Sequence, residues 1–161
     1  MDAEELYKGL KQIQDRGEIG NAYNGCGSLA SEFNGTLDCF YEYILEKYEE
    51  PMPLWAEAFV QIYSWQFQTM HECAEAYYEN FYGGSAYPVI IRVADYLREN
   101  GYLEIAEPYA AAAVDCERCH YPVEKAHLLP DQWISGNEEA VWNFYVDVLE
   151  KHRDELVKQK D

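Results

Sequence analysis

LWAEAFVQIYSWQFQTMHECAEAYYENFY, residues Leu54–Tyr82, is the longest periodic stretch of the chain. Trp55, Phe59, Ile62, Gln66, Met70, Cys73, Tyr77 and Phe81 recur within it at spacings of three and four, which sets them close to one stripe of a helix. Pro51 and Pro53 stand just before the stretch and Gly83-Gly84-Ser85 just after it, so the periodicity begins and ends at breaker residues. The chain shows no strong run of alternating β-branched residues. A long helix in a helical protein is the expectation.

The flanks carry the same signal. Asp2 is placed to cap a first helix, with Glu4 and Glu5 in its first turn and Leu6, Leu10 and Ile13 on one face, ending at Gly17 and Gly20. A second segment runs from about Gly27 to Asn34, and Thr36 is positioned to cap a third lined by Phe40, Tyr43, Ile44 and Tyr48. Downstream, Pro88 opens a helix carrying Val89, Val93, Tyr96 and Leu97 that stops at Asn100-Gly101. Leu103–Asp115 reads as a short Ala-rich helix with Pro108 near its start, and Cys116–Gly136 as irregular chain. Asn137 then caps a last helix to about Val157, with Val141, Tyr145, Val148, Leu149, His152 and Leu156 inward. The whole reads as an all-α fold, a single compact bundle of about six to seven helices, with residues 1–161 forming one acidic domain. No linker divides the chain and no repeat of fixed period appears.

Charge sets the sign of any partner. The chain carries 12 Lys+Arg against 30 Asp+Glu, a formal net charge of −18, yet 48% of its residues are hydrophobic and 16% aromatic, so it is not a disordered acidic tail. Such a charge argues against direct contact with nucleic acid, which needs clustered Lys and Arg, and against an anionic membrane surface. Residues 1–80 hold a net −11, and no Lys or Arg occurs from Tyr48 to Ile91. Met1-Asp2-Ala3-Glu4-Glu5 lacks the basic start and apolar stretch of a secretory signal, and the five cysteines are odd in number and widely spread. Cytoplasmic localisation with reduced thiols is the expectation.

Cys116-Glu117-Arg118-Cys119-His120 is the sharpest local pattern. Its spacing is that of covalent haem attachment, a chemistry of exported proteins. It is also one zinc knuckle, with His120 or His127 as a third ligand, but a structural zinc site needs four ligands and only one cysteine pair is present. No cofactor is therefore expected, and zinc at Cys116, Cys119 and His120 is retained as an alternative. His71-Glu72-Cys73 has no second His at the i+4 position of a zinc protease, and neither a phosphate-cradling loop nor a nucleophile elbow is found. A non-enzymatic protein is the expectation.

The remaining feature is carboxylate periodicity. Asp38, Glu42, Glu46 and Glu49 or Glu50 recur at helical spacing, as do Glu72, Glu75 and Glu79. Four residues of helix rise about 6 Å, so each row sets negative charges at an interval comparable with successive phosphates of a strand. Tyr41, Tyr43, Tyr48, Tyr63, Tyr77, Tyr78, Tyr82 and Tyr87 accompany the rows, and tyrosine offers large contact area with a polar tip. The rows are expected to be either a solvated face or a surface for a basic partner. For the second, Asp38, Glu42, Glu46, Glu49, Glu50, Glu72, Glu75, Glu79, Tyr41 and Tyr78 are the contact residues.

Glu32-Phe33-Asn34-Gly35-Thr36-Leu37-Asp38-Cys39-Phe40-Tyr41 resembles a motif of a bacterial helical family, in which an acidic residue precedes an Asn-Gly-Gly-Phe turn and a helix with an aromatic pair. The following segment, from Ala56-Glu57-Ala58-Phe59 to Ala74-Glu75-Ala76, is similar to that family's Ala-rich helix. The likeness spans about Leu29 to Phe81. Here one residue is missing before Asn34, Thr36 replaces the second Gly and Leu37 replaces Phe. The family is a domain of unknown function that includes a DNA-mimic protein, which binds a transcription factor in place of DNA. The resemblance implies a helical fold and an acidic surface that occupies the nucleic-acid-binding face of a basic protein such as a DNA-binding regulator or nuclease. A toxin-neutralising immunity protein shares the electrostatics and is a second expectation; a small zinc or haem protein is a third.

Overall fold

A computed structural model describes residues 2–17, 28–79, 87–113 and 130–158. These form α1 (Ala3–Arg16), α2 (Ser28–Lys47), α3 (Leu54–His71), α4 (Ala74–Glu79), α5 (Tyr87–Glu99), α6 (Leu103–Ala113), α7 (Pro130–Ile134), α8 (Glu138–Lys151) and α9 (Arg153–Val157). No strand occurs among the described residues, and the fold is all-α. Among the described residues the number of helices exceeds the expected six to seven because two expected helices are each broken and a short one lies within Pro130–Gly136, while two others are fused.

α3 is the central element. It packs against α2, α4, α5, α7 and α8. Its buried residues include Trp55, Ala58, Phe59, Ile62, Trp65 and Thr69, so it is enclosed over more than one face, as an apolar helix surrounded by others must be. α1 packs on α2 and α9, and α5 on α6. One cluster of buried side chains joins all of these, from Leu6 and Leu10 through Phe33 and Phe40 to Val148, Leu149 and Leu156.

The ends of α1 form as the sequence indicates. Asp2 accepts the Glu5 backbone N–H at 2.9 Å, and the helix stops at Gly17. α5 also ends where expected. Gly101 has φ +87°, and Tyr102 N–H reaches Leu97 carbonyl at 2.8 Å while Gly101 N–H reaches Arg98 carbonyl at 3.2 Å, which is a Schellman closure.

Three helix boundaries, two caps and the place of Pro108 differ from expectation. The second and third expected helices are one, α2, running through Asn34-Gly35-Thr36. Phe33, Leu37, Phe40 and Ile44 form a continuous buried stripe across that point, and their packing outweighs a local propensity penalty of about 1 kcal/mol for a glycine. Thr36 does not cap; its hydroxyl donates to the Glu32 carbonyl one turn back, at 2.9 Å. The turn that the family resemblance implies at this place is therefore a helix interior. The opposite happens to the 54–82 stretch, which breaks after His71. Glu72 has φ −128° and ψ −86°, and Ala74 N–H donates to Asp131 Oδ1 at 2.8 Å in place of a bond within the helix. Gln66 and Tyr77 lie inside as the stripe requires, whereas Met70 is 45% exposed and Cys73 is exposed. The last helix divides into α8 and α9 at His152, whose ring stacks on Trp55 with centroids 4.3 Å apart. Asn137 precedes α8, but its amide donates to Trp133 carbonyl at 2.7 Å and makes no side-chain cap. Pro108 lies in the interior of α6 and not near its start.

Candidate functional site

α2 carries Asp38, Glu42 and Glu46 one turn apart, and all three are exposed. Their exposure follows from the stripe that buries Phe33, Leu37, Phe40 and Ile44 on the other side of the same helix. Glu49 and Glu50 are exposed too, but the helix ends at Lys47, so they lie in the connection to α3. None of the salt bridges among the described residues involves Asp38, Glu42, Glu46, Glu50 or Glu72. Lys47 is the only cation on α2, and its Nζ donates to Leu156 carbonyl at 2.8 Å, where it serves the end of α9. Arg92 and Arg16 are likewise committed elsewhere, to Glu57 and Glu32.

The second row does not exist as one row. Glu72 sits at the break after α3, while Glu75 and Glu79 are on α4. The side chains of Glu75 and Glu79 are outside what the structure describes. Tyr78 leaves the expected contact surface altogether: it is 3% exposed, and its hydroxyl donates to Tyr109 carbonyl at 2.9 Å. Tyr77 is also buried. Tyr43 and Tyr48 turn to the C-terminal segment, donating to Leu156 carbonyl at 3.0 Å and to Glu155 at 2.9 Å. Tyr41 and Tyr63 are the tyrosines that stay with the carboxylates, half-buried between α2 and α3, their centroids 4.9 Å apart. Tyr82 and the candidate metal residues Cys116, Cys119 and His120 lie outside the described residues, as does the side chain of Tyr87. Among the described residues, no group of three His, Cys, Asp or Glu side chains is placed to hold a metal ion.

A feature that the periodicity of carboxylates did not reveal runs along α3. Phe59, Tyr63, Phe67 and His71 are spaced four apart, and their rings form a ladder with successive centroids 6.3, 6.3 and 4.3 Å apart. The ladder begins in the core at Phe59 and emerges at Phe67, which is 51% exposed. The signal was in the sequence, as rings at i, i+4, i+8 and i+12, but it was masked by the neighbouring core stripe. The Tyr63 hydroxyl donates to Asp38 Oδ1, joining the ladder to the carboxylate row. Burial, followed by that bond, holds the Tyr63 phenol well above its ordinary pKa, so it remains a donor. Asp38, Tyr41, Glu42, Tyr63 and Phe67 line an open groove of about 400 Å³ between α2 and α3. Ser64 and Gln68 complete its lining, and among the described residues no Lys or Arg lines it, so two carboxylates beside ring faces make it suited to binding a positive group.

No protein-family model matches the chain, and no curated protein or solved structure is significantly similar to it. Among the described residues, no helix is long and apolar enough to cross a membrane.

Proposed function

We propose that this is a non-enzymatic acidic interaction protein, acting in the manner of a DNA mimic, whose α2 face occupies the nucleic-acid-binding surface of a basic protein. The observation that carries the reading is the row Asp38, Glu42 and Glu46: exposed, without a salt bridge among the described residues, and on a helix whose lysine is turned away to α9. Charges that serve only to solvate a face are commonly interleaved with Lys or Arg four residues away, as in the Lys11–Asp15 and Lys151–Asp147 pairs of this same chain. The row on α2 has no such partner. The resemblance over Leu29–Phe81 points the same way.

The test is capture of basic nucleic-acid-binding proteins by the immobilised chain at low salt, with the triple variant D38N/E42Q/E46Q as comparison and duplex DNA as competitor. Retention that DNA displaces, and that the triple variant loses, is expected. Retention should also fall steeply between roughly 0.01 M and 1 M salt, as the screening length shrinks from about 30 Å to about 3 Å. If no basic protein is held at low salt, or the triple variant holds it equally well, the reading fails. Capture of a toxin, not displaced by DNA, would favour an immunity protein.

A further inference from the structure

The groove between α2 and α3 contains more than negative charge. Imitating a row of phosphates needs only carboxylates at intervals. Here a ring pair and a half-exposed phenylalanine stand beside them: Tyr41 and Tyr63 in tilted contact, and Phe67 next along the ladder at 51% exposure. An exposed phenylalanine beside carboxylates that make no salt bridge among the described residues gains little from water and repels no cation.

Asp38 is held in a particular way. Its Oδ1 accepts the Tyr63 hydroxyl, and Oδ2 has no partner among the described residues. The carboxylate is thus fixed by a half-buried phenol and keeps one oxygen for a donor from outside. Glu42 lies one turn further along the same helix and lines the same groove. Among the described residues, no Lys or Arg lines it.

Resting on the acidic-partner reading above, we infer that this groove is the specificity site for a single arginine side chain presented by the partner, its guanidinium stacked on the Phe67 and Tyr41 rings and hydrogen-bonded to Asp38 and Glu42. Charge complementarity requires a cation, and the rings choose between the two kinds. A guanidinium is planar, weakly hydrated and forked, so it stacks on an aromatic face while its edge pairs with a carboxylate. A lysine ammonium is a compact, strongly hydrated point charge that gains less from such a floor. The acidic row would then supply encounter rate and the groove would supply discrimination.

The probe is a fluorescently labelled, end-capped alanine-based helical peptide carrying two arginines, with the same peptide carrying lysines, each titrated with the full chain at low salt by anisotropy. The arginine peptide should bind roughly fivefold or more tightly than the lysine peptide. F67A, and F67L, which keeps apolar bulk without a ring face, should each weaken the arginine peptide by roughly fivefold and bring it level with the lysine peptide. D38N should weaken it comparably, whereas E99Q, an equal loss of charge on α5, should leave it unchanged. Thermal melts of each variant establish that it folds. Equal affinity for both peptides, or an arginine preference that survives F67L, overturns the groove as an arginine site while the capture experiment still decides the acidic-partner reading. Failure of the arginine peptide to bind the wild-type chain overturns it as well.

Discussion

Gln66 is 6% exposed in an otherwise apolar core, which is costly for an amide unless its hydrogen bonds are made. Its Oε1 accepts the hydroxyl of Tyr145 on α8 at 2.7 Å, and its Nε2 lies 3.7 Å from the Met70 sulfur. Tyr145 is itself 0% exposed. The pair is therefore a single buried polar contact tying the central helix to α8, and its worth is best read from its removal. Y145F should cost about 1–3 kcal/mol, because it strands a desolvated acceptor. Q66L in the Y145F background should recover part of that loss, since the two polar groups then vanish together. Urea unfolding of the two single variants and the double variant measures the coupling; strictly additive losses would show that the hydrogen bond does not stabilise the core. A comparable network fixes α4, where Tyr77 shares a 2.7 Å hydroxyl contact with Tyr109 and donates to Gln61 at 2.8 Å.

α4 depends on a residue far from it in sequence. Ala74 N–H, at the start of this six-residue helix, is satisfied by Asp131 on α7. A helix so short is unstable alone, so it persists through that cap and through the burial of Ala74, Tyr77 and Tyr78. D131A should cost about 1 kcal/mol and raise amide exchange selectively over 74–79. Uniform exchange across the chain would assign Asp131 no local role. This dependence also explains what could and could not be read beforehand. The elements α1 and α5 were legible to their ends, because Asp2, Gly17 and Gly101 act on neighbours within one turn. The apolar stripes of α2 and α8 were legible, since a 3.6-residue period is local. The break at Glu72 was not, because the group that takes over the Ala74 N–H comes from 57 positions away. The fusion of α2 through Gly35 was hidden for the same reason: tertiary burial of Phe33 and Leu37 decides against a local breaker. Of the site, the Asp38–Glu46 row came from spacing alone. The loss of Tyr78 to the core did not, because helical periodicity tells that a residue shares a face and not which partner will cover it.

At the scale of the whole molecule, the −18 net charge acts on folding and on binding with opposite signs. Self-repulsion opposes the folded state, so added salt should raise the melting temperature while it slows association with a basic partner. A melting temperature that falls with moderate salt would show that attractive pairs such as Arg92–Glu57 outweigh the repulsion. The fifteen tyrosines impose a second, sharper dependence. Burial raises the phenol pKa of Tyr7, Tyr48, Tyr63 and Tyr145 well beyond the ordinary 10.0, and that of Tyr102 to about 12, the latter two effects being joined by coulombic contact with Tyr63 and by the Asp147 hydrogen bond respectively. A raised folded-state pKa means that the unfolded chain loses its protons first. The stability these phenols contribute is therefore complete below pH 10 and is lost as pH climbs through the folded values. Each tyrosine still protonated in the fold but ionised in the unfolded chain costs about 1.4 kcal/mol per pH unit, so several together should unfold the protein between pH 10 and pH 12. Tyrosinate absorbance should rise in one cooperative step that coincides with the loss of helical circular dichroism. A gradual titration centred on the ordinary phenol value, with the helices intact, would mean that water reaches these hydroxyls and that the tyrosines belong to the surface rather than to the packing of α1, α3, α8 and the connections that follow α2 and precede α6.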